Sequence, residues 1–107
     1  VWFMTQTIQS DSQAGAAQSV AQKLQRFAQI ERIYLFGSRA RGDAQPRSDI
    51  DLAISCPMAD ARVWASICEA VDDADTLLRI DVVRLEEASP ELAGRIIEEG
   101  RLIYERG

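Results

Sequence analysis

Between Ser12 and Ala28, Ala17, Val20, Ala21, Leu24, Phe27 and Ala28 recur at steps of three and four, which predicts an amphipathic helix capped by Ser10 or Ser12. The pattern then changes. Ile33-Tyr34-Leu35-Phe36 is an unbroken run of branched and aromatic residues that stops at Gly37, and it predicts a buried strand. Ser38 to Asp43 leaves room for one helical turn at most before a loop through Pro46. Asp49 to Ser55 alternates polar and apolar residues as a second strand, ended by Cys56-Pro57. Val63, Trp64, Ile67, Cys68, Val71 and Leu78 return to helical spacing, giving a long helix over Ala59 to Leu78 with a ragged acidic end. Arg79 to Leu85, centred on Ile80-Asp81-Val82-Val83, is a third strand. Ser89-Pro90-Glu91 supplies a cap, a proline at the first helical position and an acid in the first turn. That helix runs to Glu99 and stops at Gly100 as its C-terminal cap, and Arg101 to Tyr104 can add a last strand.

The order helix, strand, strand, helix, strand, helix, strand predicts an α/β or α+β fold, a small mixed β-sheet flanked by helices. No repeat or linker interrupts it, so 107 residues read as one domain. Val1 to Gln9 lacks the basic region and long apolar core of a signal peptide; Met4 resembles a natural start, and residues 1–9 are expected to be disordered or partly an expression leader. No apolar stretch approaches the roughly 18 residues of a membrane span. Two cysteines, Cys56 and Cys68, without a secretory signal suit a reducing cytoplasm, where both are expected as small apolar side chains.

Composition narrows the chemistry. The chain has no histidine, which removes His-based triads, His metal ligands and the commonest neutral-pH general base. Zinc fails on ligand count. The net charge of -5 disfavours direct nucleic-acid binding. Against that acidic background Arg39, Arg41 and Arg47 crowd together, as solvated loop residues or as a site for a small polyanion. Asp72, Asp73 and Asp75 read as a solvated helix end or as a docking point for a basic patch on a partner.

The second strand carries the sharpest signal. Side chains on a strand alternate faces, so Asp49 and Asp51 share one face while Ile50, Leu52 and Ile54 share the other. Two like charges on one strand face repel unless a cation lies between them, and a hard oxygen set favours Mg²⁺ or Mn²⁺; the alternative is an exposed strand face with solvated acids. Asp81, a single acid in an apolar strand, joins that face if its strand lies beside the second. Three carboxylates on adjacent strands can hold two ions, the arrangement of two-metal phosphoryl and nucleotidyl transfer. Asp81 is also placed to accept a proton from an incoming hydroxyl. Upstream, Gly37-Ser38 opens a turn after a strand, where a glycine lets the backbone approach a ligand and Ser38 offers a donor. It is neither a Walker A loop nor a dinucleotide fingerprint. Trp64, Tyr34 and Phe36 are read as core packing rather than as a base-stacking site.

Gly37-Ser38, the ten residues to Asp49-x-Asp51 and the later Asp81 together resemble the nucleotidyltransferases of the DNA polymerase β superfamily. The string GSRARGDAQPRSDIDLAI is similar to that of the minimal nucleotidyltransferases (MNT), and the likeness continues to IDVV and EGRLIYER. The resemblance implies a polymerase β-like fold. It implies that Gly37 and Ser38 hold a nucleoside triphosphate, that Asp49, Asp51 and Asp81 bind Mg²⁺, and that at least one of Arg39, Arg41 and Arg47 faces phosphate. It implies transfer of a nucleoside monophosphate to a hydroxyl, with pyrophosphate leaving.

Larger relatives add a domain for the acceptor, for which this length has no room, so the acceptor is expected on a partner. In this family that partner is commonly an adjacently encoded helical HEPN protein, in several pairs a toxin whose tyrosine receives AMP from ATP. The leading expectation is therefore a Mg²⁺-dependent antitoxin that adenylylates a HEPN toxin. Two alternatives are a non-catalytic antitoxin that neutralises by stoichiometric contact, and nucleotidyl transfer to a small molecule bound with a helical partner.

Overall fold

The computed structural model describes residues 14–42, 49–74 and 79–106. The chain order is α1 (Ala14–Leu24), β1 (Arg32–Phe36), the single turn α2 (Ser38–Arg41), β2 (Ile50–Ser55), α3 (Ala61–Asp72), β3 (Ile80–Arg84), a 3-10 turn (Leu85–Glu87), α4 (Pro90–Glu99) and β4 (Arg101–Glu105). The four strands form one sheet in the order β3-β2-β1-β4. β1 pairs antiparallel with β2 and β4, while β2 and β3 run parallel, so the sheet is mixed and the fold α+β as predicted. Residues 1–9, the capping serines Ser10 and Ser12, Arg47, Asp75 and Leu78 lie outside the described residues.

One face of the sheet carries the core. Ile33, Leu35, Ile50, Leu52 and Ile54 are buried there with Val20, Leu24, Ile67 and Val71 from α1 and α3. This is the apolar half of the alternation read in β2. The opposite face holds Tyr34, Phe36, Asp51, Ala53, Asp81 and Val83, because residues paired across neighbouring strands point the same way. α4 touches β1, and its Ile96 is 1% exposed yet stands outside the α1–α3 core cluster. α4 therefore covers part of this second face.

Three helix boundaries differ from the periodicity. α1 stops at Leu24 rather than Ala28: Phe27 N–H donates to the Leu24 carbonyl at 3.1 Å and Ile30 N–H to that of Phe27 at 3.1 Å, both tighter than α-helical bonds. Arg106 donates to the carbonyls of Gln25, Phe27 and Ile30 at 3.2–3.3 Å, a long-range cap that no local pattern encodes. α3 begins after Asp60, whose Oδ1 accepts from Val63 N–H at 2.8 Å, and ends at Asp72. The acids at its C-terminal end oppose the helix dipole, which explains why the apolar period outlasts the helix.

The last helix starts as predicted, with Ser89 Oγ accepting from Leu92 N–H at 3.2 Å and Pro90 at the first position. Gly100 closes it for a reason of space. Its φ of -78° suits any residue, but a Cβ there would overlap the Ile96 carbonyl and lie 3.1 Å from that of Leu35.

Candidate nucleotidyl-transfer site

β2 begins at Ile50, with Asp49 immediately before it and Asp51 its second residue. In the parallel pairing with β3, Asp51 stands directly opposite Asp81. In the antiparallel pairing with β1, it stands opposite Phe36, the last residue before Gly37. The sheet thus collects at one end the aspartates and the glycine turn that lie far apart in sequence. Hydrophobic burial of Ile50, Leu52 and Ile54 fixes this register, because a one-residue slip would send the carboxylates into the core.

Gly37 has a specific steric task. Its φ is +77°, a left-handed conformation that L side chains rarely adopt. A Cβ at this position would overlap Asp51 Oδ2 and lie 3.2 Å from Asp51 Cγ. The turn therefore presses bare backbone against a carboxylate. Ser38 is half-buried at the start of α2, whose Gly42 ends it in the left-handed region with its N–H donating to the Ser38 carbonyl at 3.0 Å.

Asp81 has a partner that the sequence reading missed. Arg79 Nε lies 3.2 Å from Asp81 Oδ1, with the two side chains 74% and 42% exposed. Arg79 precedes Asp81 by two residues, so the strand period that grouped Asp49 with Asp51 would have found it. An ion pair this exposed is weak and readily exchanged. Among the described residues no three carboxylate or thiol groups are gathered as one metal-sized cluster. Register sets Asp51 and Asp81 side by side on one face, with Asp49 just before β2, while their carboxylates do not form a closed ligand set.

The donors nevertheless fit a hard divalent cation. Asp51 sets its carboxylate against the bare backbone of Gly37, Asp49 stands two residues before it and Asp81 one strand over, a hard oxygen set of the kind such a cation takes.

Of the three arginines, Arg41 lines a cleft of about 160 Å³ with Phe36, Gly37, Leu92, Arg95, Ile96 and Glu99. Phe36 thus faces this cleft rather than the α1–α3 core, a correction to its reading as core. Its period-two partner Tyr34 likewise stands outside that core cluster, on the Asp51 face. Trp64 does pack on the core, with the Arg84 guanidinium 5.8 Å from its ring centre. The backbone of Arg39 lies in α2.

The far end of β2 is built for rigidity. Glu86 accepts from Ser55 Oγ at 2.7 Å and from Cys56 N–H at 2.9 Å, while Arg84 Nη2 donates to the carbonyls of Cys56 and Ala59 at 2.9 and 2.7 Å. Arg84 Nε, 3.7 Å from Glu86 Oε1, is too far for a hydrogen bond. Cys56 is buried and free, and burial pushes its thiol pKa up to about 11, so it is an inert core residue as expected. Cys68, half-buried, is raised by burial too, and then by Asp72.

Comparison with known proteins identifies the family and the fold. The family described as Polymerase beta, Nucleotidyltransferase matches residues 18–107. Among solved structures, a chain from a toxin–antitoxin complex with AMP-PNP is 26% identical, with a TM-score of 0.65 over 83% of this chain and 73% of that one. A chain from the complex of tri-AMPylated Shewanella oneidensis HEPN toxin with MNT antitoxin is 22% identical, with a TM-score of 0.58 over 83% and 70%. A chain from the toxin–antitoxin MntA-HepT is 24% identical, with a TM-score of 0.53 over the same shares. No curated protein matches the sequence at a significant level. Among the described residues no helix is long and apolar enough to cross a membrane. The chain belongs to the polymerase β nucleotidyltransferase family.

Proposed function

We propose that this nucleotidyltransferase is the cytoplasmic antitoxin of a HEPN toxin and transfers AMP from ATP to a tyrosine hydroxyl of that partner. The observation that carries the reading is the pairing of Asp51 with Asp81 on a sheet face pressed against the Gly37 turn. The nucleotide and the class of partner are supported by the likeness to the toxin–antitoxin chain crystallised with AMP-PNP.

Asp49 and Asp51, with Asp81, would hold Mg²⁺, which supplies charge neutralisation for the triphosphate. Gly37 and Ser38 bring backbone and a hydroxyl to the phosphates, and Arg39, Arg41 or Arg47 offsets their charge. The acceptor oxygen attacks the α-phosphorus, its proton passes to Asp81, and the bond to the bridging oxygen of the β-phosphate breaks to release pyrophosphate. Asp81 exchanges its exposed contact with Arg79 to do so.

The test is the intact mass of the helical protein encoded beside this chain, after co-expression with wild type or with Asp49→Asn, Asp51→Asn. Gains of whole AMP units with wild type, lost in the double variant, are expected. A tight complex with an unmodified partner would overturn the transferase reading in favour of stoichiometric binding, or of a small-molecule acceptor held between the chains.

A further inference from the structure

The sheet has two edges, and the one formed by β3 borders the site. Among the described residues β3 pairs only with β2. In a parallel pair, alternate residues turn their backbone groups toward the neighbouring strand and the others turn theirs away. Ile50 N–H donates to the Arg79 carbonyl at 2.9 Å, so Arg79, Asp81 and Val83 are the residues of this strand that serve β2. The N–H and C=O groups of Ile80 and Val82 therefore point out of the sheet, a template for another strand.

A cleft of about 420 Å³ follows that edge. Val82, Val83 and Arg84 line it from β3, with Trp64 of α3 on the core side, Leu92 of α4 on the other, and Glu87 beyond the strand end. Arg84 stands 3.7 Å from Glu86 and 3.6 Å from Glu87, while its Nη2 is spent on the carbonyls of Cys56 and Ala59. One guanidinium against two carboxylates leaves this end of the cleft negative, and Glu87 is 68% exposed. The complementary occupant is cationic there. A residue opposite Asp81 on an added strand would share its face, with the Cβ atoms about 5 Å apart. The next residue toward Arg84 would meet Trp64 and Val82, and the one after it Val83 and Leu92.

We propose that the partner's acceptor segment docks as a further strand on β3, its tyrosine opposite Asp81, two apolar residues over Trp64 and Val83, and a basic residue at Glu87. The inference rests on the nucleotidyl-transfer reading above and adds how the acceptor is held. Backbone pairing supplies affinity, and register brings the hydroxyl to the carboxylate that takes its proton.

Amide hydrogen exchange of the full chain, alone and with the helical protein encoded beside it, tests this. Alone, the amides of Ile80 and Val82 should exchange fast and those of Asp81 and Val83 slowly. In the complex, the Ile80 and Val82 amides should slow by about tenfold or more. Val82→Pro removes an outward N–H and no bond to β2, a position where edge strands accept proline, and should weaken partner binding about tenfold. Glu87→Lys, exposed and away from the aspartates, covers the case in which the proline disturbs the fold; it should weaken binding about fivefold. Leu102→Arg, on the opposite edge strand β4, should leave binding unchanged. Ile80 and Val82 amides that stay unprotected in the complex overturn the docking mode, as does binding lost in Leu102→Arg but kept in Glu87→Lys and Val82→Pro. Protection that rises with the concentration of the chain alone assigns the edge to a second copy and also overturns it. If AMP transfer to the partner persists in those cases, this inference fails while the proposed function stands; a partner that does not bind at all overturns both.

Discussion

At Gly37 two independent requirements meet in one residue. Its positive φ excludes most side chains on conformational grounds, and the Asp51 carboxylate occupies the space a Cβ would take. Gly37→Ala should therefore cost about 1–3 kcal/mol of backbone strain and push Asp51 aside. A lowered denaturation midpoint together with lost AMP transfer is the expected result. Full activity in that variant would show that the close approach is not needed. The alternation in β2 made Asp49 and Asp51 legible, and the glycine after a strand marked the turn. Arg79 was equally legible by the same period, but in the sequence it reads only as the first residue of the third strand.

Elements here are closed by contacts of very different worth. Ser89 and Asp60 cap their helices locally, within three residues of the N–H groups they satisfy, so the sequence displays them. Arg106 acts over a much longer loop, taking three carbonyls of the segment after α1. Arg106→Ala should destabilise the protein by about 1–2 kcal/mol, since those carbonyls would lose a charged donor. Arg32 and Glu105, joined at 3.0 Å but half-exposed, should matter far less. Comparing Arg106→Ala with Arg32→Ala by urea denaturation checks the ranking. Equal midpoints would show that solvent replaces Arg106 fully.

Across the whole molecule, the sheet separates a core face from a chemical face, and stability depends on keeping the first dry. Cys56 reports on that. Burial raises its pKa from 9.0 to about 11, so the folded protein favours the neutral thiol. The resulting stabilisation is complete below pH 9.0 and is lost as pH rises through about 11. The denaturation midpoint of wild type should therefore fall across that window more steeply than that of Cys56→Ala. Parallel slopes would mean that Cys56 ionises in the folded chain as easily as in the unfolded one.

Short-range physics determined much of this protein from sequence alone. Periods of two and of three-to-four residues, proline and serine at a helix start, and a glycine after a strand are all written within a few residues. They fix the element order, the buried half of β2 and the acidic strand positions. Only the tertiary structure decided the rest. Which strands are neighbours set Asp51 against Asp81, because register depends on packing two faces at once. The cleft of Arg41, Arg95 and Glu99 likewise joins α2 to α4, more than fifty residues apart, and no local period encodes that meeting.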